Sequence, residues 1–313
     1  MQKIFLFVML SFIGIAISAQ HIGSKYRLKK VIPVEGRQGI AIDSNYYYVS
    51  DSKVLYKYDK QGNLVMKNNR PFKNAELRNH FGDIDIWNGE LYCGIEKFEY
   101  GRSYNIAISV YDAKSLKWKR DINFEPASGQ KEVSGLAVDR DKNMVWMSDW
   151  IDSRYVYCYS LETGKYYTKM QCRPCPYWCQ GIFIADGKML FTADDGESTF
   201  NIPDDIYIAD ISEVSYTGLK EGTQFSVVNN QPVKKPGLIA AGAMAGKLRL
   251  FREMKDFRRA GEIEGLSIDP TNDDLVVLNN RGTQILLGMS QGPFTNEGYT
   301  HEIHELYVYQ KTK

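Results

Sequence analysis

Gly39-Ile-Ala-Ile-Asp43 is a short motif in which a glycine opens an apolar run that ends at a polar residue. Four further copies follow along the chain: Gly82-Asp-Ile-Asp-Ile-Trp87, Gly135-Leu-Ala-Val-Asp139, Gly181-Ile-Phe-Ile-Ala-Asp186 and Gly265-Leu-Ser-Ile-Asp269. Each copy is succeeded by a second β-rich run, such as Tyr46-Tyr-Tyr-Val-Ser-Asp51 after the first. Recurrence at a fixed phase indicates a repeat architecture, and repeated small antiparallel sheets are typical of a β-propeller.

The spacing of these glycines predicts the number of blades. Successive glycines are 43, 53, 46 and 84 residues apart, and the first three spacings each fit one blade of four strands. The last spacing holds either two blades or one blade with an insertion. Leu248 lies 17 residues before Gly265, which matches the outer strands of the first three units, predicted to begin 16 to 19 residues before the next glycine. We therefore expect five blades, with an insertion near residues 212–246; six blades are the alternative.

The N-terminal strand is predicted to close the ring. Tyr26 to Val34 read as a strand ahead of the first motif, whereas the last unit, ending in Glu305-Leu-Tyr-Val-Tyr309, has no outer strand of its own. Pairing the two would cover an open sheet edge. The fold class expected is thus an all-β propeller of four-stranded blades, forming one domain over residues 20–313.

Residues 1–19 have the pattern of a secretory signal. Lys3 supplies the positive start, residues 4–18 are mainly apolar, and Ile17-Ser18-Ala19 is a suitable cleavage site. Fifteen residues are short of the ~20 that a spanning helix requires, so we expect cleavage rather than a retained anchor. The mature protein is expected to be secreted or periplasmic, without membrane insertion.

The near-zero net charge of the chain argues against nucleic acids and anionic membranes as partners. The chain has 39 basic and 38 acidic residues, and loss of Lys3 with the leader makes the two counts equal. A net charge near zero gives no electrostatic reason to expect nucleic acid or an anionic membrane surface as partner. We expect a monomer.

Three of the five cysteines are clustered in Cys172-Arg-Pro-Cys175-Pro-Tyr-Trp-Cys179. In an exported chain this spacing favours a structural disulfide within the cluster. Metal binding and redox chemistry remain open as alternatives, although no fourth ligand stands nearby and no helix follows the Cys-x-x-Cys motif.

Polar residues are predicted to converge on one face of the disc. Antiparallel order places the start of each inner strand and the end of each second strand on the same side, which we call the glycine face. The residues expected around the central channel there are Gln38, Phe81, Ser134, Gln180, Glu264, Asp51, Glu96, Asp149, Asp194 and Asn280. Their oxygens suit calcium, which takes 6–8 oxygen ligands. The alternative is that they cap strand ends and hold channel water.

A second acidic group, Asp194-Asp195-Gly-Glu197, is followed by Asp204-Asp205. Repulsion among its carboxylates favours a cation if the loop folds inward, whereas a solvated loop needs none. The metal candidates are therefore Glu264, Asp194 and Asp195, with Ca²⁺ as the ion.

Two units resemble NHL and YWTD propeller repeats. The resemblance lies in Tyr-Tyr-Val-Ser-Asp51 with Leu55-Tyr-Lys-Tyr-Asp59, and in Val145-Trp-Met-Ser-Asp149 with Val156-Tyr-Cys-Tyr159. It implies the propeller shape and a group of proteins that includes binding scaffolds.

Gly261-Glu-Ile-Glu-Gly-Leu-Ser-Ile-Asp269 resembles the opening motif of calcium-dependent lactonases of the gluconolactonase and senescence-marker type. That resemblance implies a metal-ligand role for Glu264. Where the family has asparagine ligands, this chain has Gln38, Ser134 and Gln180. A fainter resemblance, through Glu264-Gly-Leu and the blade number, is to five-bladed calcium nucleotidases.

Aromatic and charged residues give the glycine face the character of a binding site. Trp150, Tyr177 and Trp178 are predicted in its loops, and such platforms suit sugars, peptides or small aromatic ligands. They could equally cover gaps between blades. The ligand-binding candidates are Arg37, Gln38, Trp150, Gln180 and Arg281.

Histidine chemistry has one candidate in the sequence. His80 precedes Phe81 and Gly82 at the predicted channel mouth, so it is placed to act as a general base or to be a rim residue without a catalytic role. His301-Glu-Ile-His304 is one residue short of the zinc-protease motif and lies in a predicted strand, so we reject that interpretation.

Two functions follow from these observations. The first is a secreted binding protein that uses the glycine face for a small molecule, glycan or peptide. The second is a calcium-dependent hydrolase of lactonase, phosphoester or nucleotidase type, with the ion at the central channel.

Overall fold

A computed structural model describes residues 20–124, 128–150, 152–194, 203–211, 219–228, 231–240, 243–257, 261–281 and 301–312. The predicted leader and Asp195 lie outside these residues. The described part of the chain consists of β-strands and turns, without an α-helix. None of it therefore forms a helix long and apolar enough to cross a membrane.

The strands form five blades, as the sequence predicts. The chain begins with β1 (Tyr26–Val34). The first blade consists of β2 (Gly39–Ile42), β3 (Tyr46–Ser50), β4 (Leu55–Asp59) and β5 (Leu64–Asn68). The second consists of β6 (His80–Trp87), β7 (Glu90–Glu99), β8 (Arg102–Asp112) and β9 (Trp118–Asn123). The third consists of β10 (Leu136–Asp139), β11 (Met144–Ser148), β12 (Tyr155–Ser160) and β13 (Tyr166–Arg173).

The fourth blade is interrupted by a hairpin. Its first three strands are β14 (Ile182–Ala185), β15 (Lys188–Ala193) and β16 (Asp205–Asp210). Before the outer strand come β17 (Leu219–Val228), β18 (Gln231–Ala240) and β19 (Ala243–Lys247). The outer strand itself is β20 (Arg249–Glu253). β17 pairs with β18, and β19 joins the edge of the third blade in parallel with β13.

The fifth blade confirms the predicted closure. It consists of β21 (Gly261–Ile268), β22 (Leu275–Arg281) and β23 (Ile303–Lys311), with β1 as its outer strand. β1 runs antiparallel to β23, with Val31 opposite Tyr307 and Val34 opposite His304. The ring is therefore closed by strand pairing between the two ends of the described chain.

The hydrophobic core is divided into five clusters, one at each junction between neighbouring blades. Residues central to them are Tyr48 (first and second blades), Val145 (second and third), Phe191 (third and fourth), Tyr307 (fourth and fifth) and Leu306 (fifth and first). All five are almost completely buried. Because strand side chains alternate between the two faces of a sheet, each blade supplies apolar groups to both of its neighbours. The core thus fixes the blades relative to one another and leaves both faces of the disc to loops.

Candidate functional site

The inner strands begin in close contact around the axis of the disc. A Cβ atom added to Gly181 would lie 2.6 Å from the Cα of Gly265, and one added to Gly265 would lie 2.8 Å from the Cα of Gly39. Any larger residue would collide with backbone at these positions. The repeated glycine therefore allows close approach of the blades, and the axis at this face is packed rather than open.

In the second blade this axial position is occupied by Asp83, not by Gly82. A β-bulge between Phe81 and Ile84 shifts the register, so that Ile84 pairs with Cys93 as Ile40 pairs with Val49. The phase predicted from Gly82 is thus wrong by one residue, because a bulge inserts a residue that sequence spacing cannot reveal. Phe81, expected at the channel, is instead fully buried in the core.

Asp83 joins the inner strands of several blades. Its Oδ1 accepts hydrogen bonds from the backbone N–H of Ile84 (2.9 Å) and Ile40 (3.3 Å), and its Oδ2 accepts one from Ile182 (3.2 Å). Complete burial raises the pKa of Asp83 well above its ordinary value. In the structure Asp83 fills the axis and accepts hydrogen bonds from backbone N–H groups near the starts of inner strands. This is the strand-capping role predicted from the sequence as the alternative to metal binding for acids on this face.

Buried carboxyl groups surround Glu264 at the centre of the glycine face. Glu264 is 1% exposed; its Oε1 lies 3.4 Å from Asn280 Nδ2, and its Oε2 has no hydrogen-bond partner. Burial, followed by the neighbouring Glu262 carboxylate, raises the pKa of Glu264 well above its ordinary value. Burial and the adjacent Asp204 do the same for Asp194. This cluster would be neutralised either by protons or by a cation.

Second-strand ends of two other blades also carry buried acids. Glu96 accepts a hydrogen bond from Val133 N (2.9 Å) and contacts His80 Nδ1 at 3.2 Å. Asp149 Oδ1 accepts from the N–H groups of Lys131 and Glu132, both at 3.2 Å, while its Oδ2 has no partner. Burial raises the pKa of Asp149 to about 7. Asp149 therefore changes protonation state near neutral pH.

His80 is placed beside a carboxylate, as a general base would be. Its ring is half-buried, lies 5.3 Å from the ring of Phe98, and faces Glu96 through Nδ1. A carboxylate at this distance fixes the tautomer and orientation of an imidazole. The same contact would hold a purely structural histidine, so the geometry permits both roles predicted from the sequence.

Two tryptophans and a tyrosine form what we call the aromatic shelf, consisting of Trp150, Tyr177 and Trp178. The rings of Trp150 and Trp178 are stacked, with centroids 6.1 Å apart and an interplanar angle of 26°. Tyr177 is 66% exposed and Trp178 39% exposed. Trp178 has a φ of +43°, a left-handed conformation that costs a non-glycine residue about 1–3 kcal/mol. The surrounding structure thus holds the backbone at Trp178 in a strained conformation.

The pairing of Thr192 with Gly181 places the aromatic shelf and the buried acids on the same side of the disc. The backbone N–H of Thr192 donates to the carbonyl of Gly181 (2.9 Å). Because β15 runs antiparallel to β14 and the residues before it, Asp194 lies level with Cys179, the neighbour of Trp178. The two features occupy one side of the glycine face, at the third and fourth blades.

Arg37 and Arg281, both predicted to bind ligand, lie in different surroundings. Arg37 is half-buried and donates to Glu302 Oε1 (3.1 Å), with Asp51 at 4.0 Å. Arg281 is almost completely buried inside the fifth blade, 3.3 Å from Glu305. Gln38 and Gln180 are half-buried next to their axial glycines. Of the predicted ligand-binding residues, Arg281 is the most enclosed.

A groove of about 490 Å³ lies between the fifth and first blades. It is lined by Pro33, Val34, Glu35, Gly36, Asp51, Tyr56, His301, Glu302, Ile303 and His304. His304 Nε2 lies 3.2 Å from Glu302 Oε2. The described residues contain no group of three His, Cys, Asp or Glu side chains placed to hold a metal ion.

The disulfide expected in the cysteine cluster is not formed. All five cysteines are free; Cys172 and Cys179 are buried, and Cys175 is exposed. Burial raises the pKa of Cys179 to about 12, and that of Cys172 well above its ordinary value. Protonated thiols are poor metal ligands and poor nucleophiles. The buried pair therefore serves as apolar packing at the junction of the third and fourth blades.

Comparison with known proteins supports the fold. No protein-family model matches the chain, and no curated protein sequence matches it. Among solved structures, the crystal structure of glutaminyl cyclase from Myxococcus xanthus is similar, with a TM-score of 0.51 and 8% sequence identity. The match covers 92% of this chain and 97% of that chain. At this identity the similarity bears on the fold alone, and the class of protein defined here is a five-bladed β-propeller.

Sequence reasoning missed several residues that shape the site. The sequence does not place Asp83 at the axis, and it groups Asp204 with Asp194 without showing that their carboxyl groups interact. The groove was also missed, because its lining comes from segments far apart in the chain. The only sequence signal for the buried acids was the position of a carboxylate next to a strand start or strand end. This signal identified Glu96, Asp149, Asp194 and Glu264.

Proposed function

We propose that this protein is an exported ligand-binding propeller that uses the glycine face for a small molecule, glycan or peptide. The observation that supports this most directly is that Asp149 and Glu264 each keep a buried carboxylate oxygen without a partner on that face. An unpaired buried polar group costs about 1–3 kcal/mol. Such a cost is expected to persist where a ligand or ordered water completes the hydrogen bonds.

Exposed groups on the same face supply the remaining requirements of a binding site. The aromatic shelf offers flat apolar surface, and the groove beside Arg37 offers charged and histidine side chains. Ligand sites usually combine apolar walls with a few convergent polar groups. The leader pattern in the sequence supports the exported location.

The test is thermal unfolding of residues 20–313 against a panel of oligosaccharides, short peptides and amines. A ligand that binds only the native state at 100 times its Kd adds ~2.7 kcal/mol of stability. We expect a saturable rise in Tm that is lost in a Trp150→Ala/Gln180→Ala double variant. Gln61→Ala, in the β4–β5 turn on the other face, is the control and should keep the full rise. A rise that survives in the double variant would place binding elsewhere.

A calcium-dependent hydrolase is the second candidate, and the carboxyl cluster favours it. Glu264 Oε2 is a buried acceptor oxygen without a hydrogen-bond partner, and Asp194 and Asp204 lie next to each other. The fit is partial, because the described residues include no group of three acidic, histidine or cysteine ligands, and Asp195 lies outside them. On this proposal Glu264 and Asp194 would hold the ion, which would polarise an oxygen of water or substrate, and His80, oriented by Glu96, would serve as general base.

Calcium binding and hydrolysis are tested separately. We expect calcium to raise Tm relative to chelator in the parent protein and to have no effect in Glu264→Gln. Lactones, phosphoesters and nucleotides are then assayed with His80→Ala as the variant, and a glutaminyl cyclase assay is added because of the similar structure. Full activity in chelator would exclude the calcium mechanism.

A further inference from the structure

The aromatic shelf has the shape of a platform with an upright wall. The Trp150–Trp178 stack presents the partly exposed ring of Trp178, and Tyr177 stands at 59° to it, with ring centroids 6.4 Å apart. Both outer rings are open to solvent. A flat ring flanked by a second ring at a steep angle accommodates a thick, puckered ligand better than a thin planar one.

Backbone hydrogen bonds hold the shelf in place before any ligand arrives. Ser153 Oγ donates to the carbonyl of Trp150 (2.7 Å) and accepts from the N–H of Cys179 (3.0 Å). These contacts tie the turn after β11 to the loop before β14, so both tryptophans are fixed relative to each other. A site ordered in advance loses less conformational entropy on binding.

Polar groups border the shelf. Arg154 donates to both carboxylate oxygens of Asp152 (2.7 and 2.9 Å) and remains mostly exposed. The backbone carbonyl of Arg154 accepts from the N–H of Cys172 (2.8 Å), at the end of the strand that leads into the loop of Tyr177 and Trp178. Within the stack, Trp150 Nε1 is a buried donor without an acceptor. The shelf thus combines apolar ring faces with donors and acceptors at its edge.

We propose that the aromatic shelf binds a pyranose ring of a neutral carbohydrate, an assignment that rests on the proposed ligand-binding function. The C–H face of a pyranose packs on the Trp178 ring, and its hydroxyl groups exchange hydrogen bonds with Asp152 and Arg154. Sugar rings are suited to amphipathic aromatic surfaces of this kind.

The neighbouring blade edge disfavours a peptide as occupant. An extended peptide commonly binds by adding a strand to a free sheet edge. At the third blade that edge is β13, and β19 of the same chain already pairs with it from Lys169 to Arg173. Main-chain recognition is therefore blocked next to the shelf, whereas stacking on its exposed rings is not.

The experiment is isothermal titration calorimetry of residues 20–313 with cellohexaose, laminarihexaose, mannohexaose and maltohexaose. We expect saturable binding of at least one hexasaccharide, weakened about tenfold or more in Trp178→Ala, which corresponds to loss of one aromatic stacking contact. Trp178→Tyr keeps an aromatic face and should stay within about threefold of the parent. Asp152→Asn should weaken binding without abolishing it.

Tyr100→Ala is the matched control. Tyr100 is another exposed aromatic residue with positive φ (+55°), in the β7–β8 turn away from the shelf. Its replacement should leave hexasaccharide affinity unchanged. Equal affinities of the parent and Trp178→Ala would overturn the assignment. So would the absence of hexasaccharide binding when a peptide or amine raises Tm, although ligand binding by the glycine face would then stand. No rise in Tm with any compound would instead refute the proposed function.

Discussion

Carboxylates at the two ends of the inner strands are held in different ways. At the face where these strands end, Asp43 Oδ1 accepts from the N–H groups of Asn45 and Tyr46, both at 2.7 Å. Asp269 there contacts Lys60 Nζ at 2.7 Å. At the glycine face, Asp149 and Glu264 are deeply buried, and each keeps an oxygen without a partner.

The axis shows the same difference. Near its far end Asp85 is paired with Arg140 at 2.6 Å, and the guanidinium also donates to the carbonyls of Ile86 and Val138. Near the glycine face Asp83 meets only backbone N–H groups and has no cation among the contacts described. One face is therefore built for stability, and the other retains unfavourable groups of the kind that accompany function.

The largest expected effect comes from breaking the ion pair of the stable face. Arg140→Ala leaves Asp85, which is 2% exposed, without its cation, and we expect a loss of ~3–5 kcal/mol in the free energy of unfolding. Urea denaturation measures it. The Arg140→Ala/Asp85→Asn double variant removes both charges and should recover part of the loss. No recovery would mean that packing of the Arg140 side chain, rather than charge, stabilises this end.

The second-largest effect is expected from replacing Asp149, a buried acid of the glycine face. The pKa of Asp149 is raised from 3.8 to about 7 on folding, so its contribution to stability is greatest below pH 4 and is lost as pH rises through 7. Asn mimics the neutral acid. We expect Asp149→Asn to match the parent below about pH 4, to exceed its stability by on the order of 1–2 kcal/mol at pH 5, and by on the order of 4 kcal/mol at pH 9. Parallel stability profiles of the two proteins from pH 5 to 9 would contradict this.

A smaller effect is expected at a turn of the stable face. Asp43→Ala removes the acceptor of two backbone N–H groups and of the Tyr48 hydroxyl (2.8 Å). Since the turn is partly solvated, water replaces some of these bonds, and we expect a loss of ~1–2 kcal/mol. Thermal unfolding measures it, and Asp43→Asn, which keeps an acceptor oxygen, should lose less. Equal losses in the two variants would show that the acceptor is unimportant.

The smallest loss of stability is expected from a partly exposed ion pair on the glycine face. Arg37→Ala breaks the contact with Glu302, in which both side chains are 26% exposed, and should cost no more than ~1 kcal/mol. High salt should reduce the difference between the parent and the variant. A loss as large as that of Arg140→Ala would remove the distinction between the two faces.

The fold could be predicted from sequence because it depends on local, repeated signals. Gly39 begins β2, Gly135 and Gly181 directly precede β10 and β14, and Gly265 lies at the bulge within β21. The position of Leu248 correctly favoured five blades. Gly82 misled by one position, since the bulge in β6 depends on hydrogen bonding that spacing does not encode.

The site was predictable only in part, because its properties come from burial and from distant segments. The positions of Glu264 and Asp194 on the glycine face follow from strand order, but their unusual pKa values depend on neighbours such as Glu262 and Asp204. The clustering of Cys172, Cys175 and Cys179 suggested a disulfide among them that the structure does not form. Sequence spacing sets how far two residues can separate, not whether they meet.

Pairing of β1 with β23 also sets the order in which the molecule can be completed. Among the described strands β1 is synthesised first and its partner β23 last, with Tyr26 opposite Lys311. Contacts between such distant residues are slow to form because a long loop must close first. Until then both strands expose sheet edges that can pair with other chains. A circular permutant with β1 joined after β23 would shorten this interval.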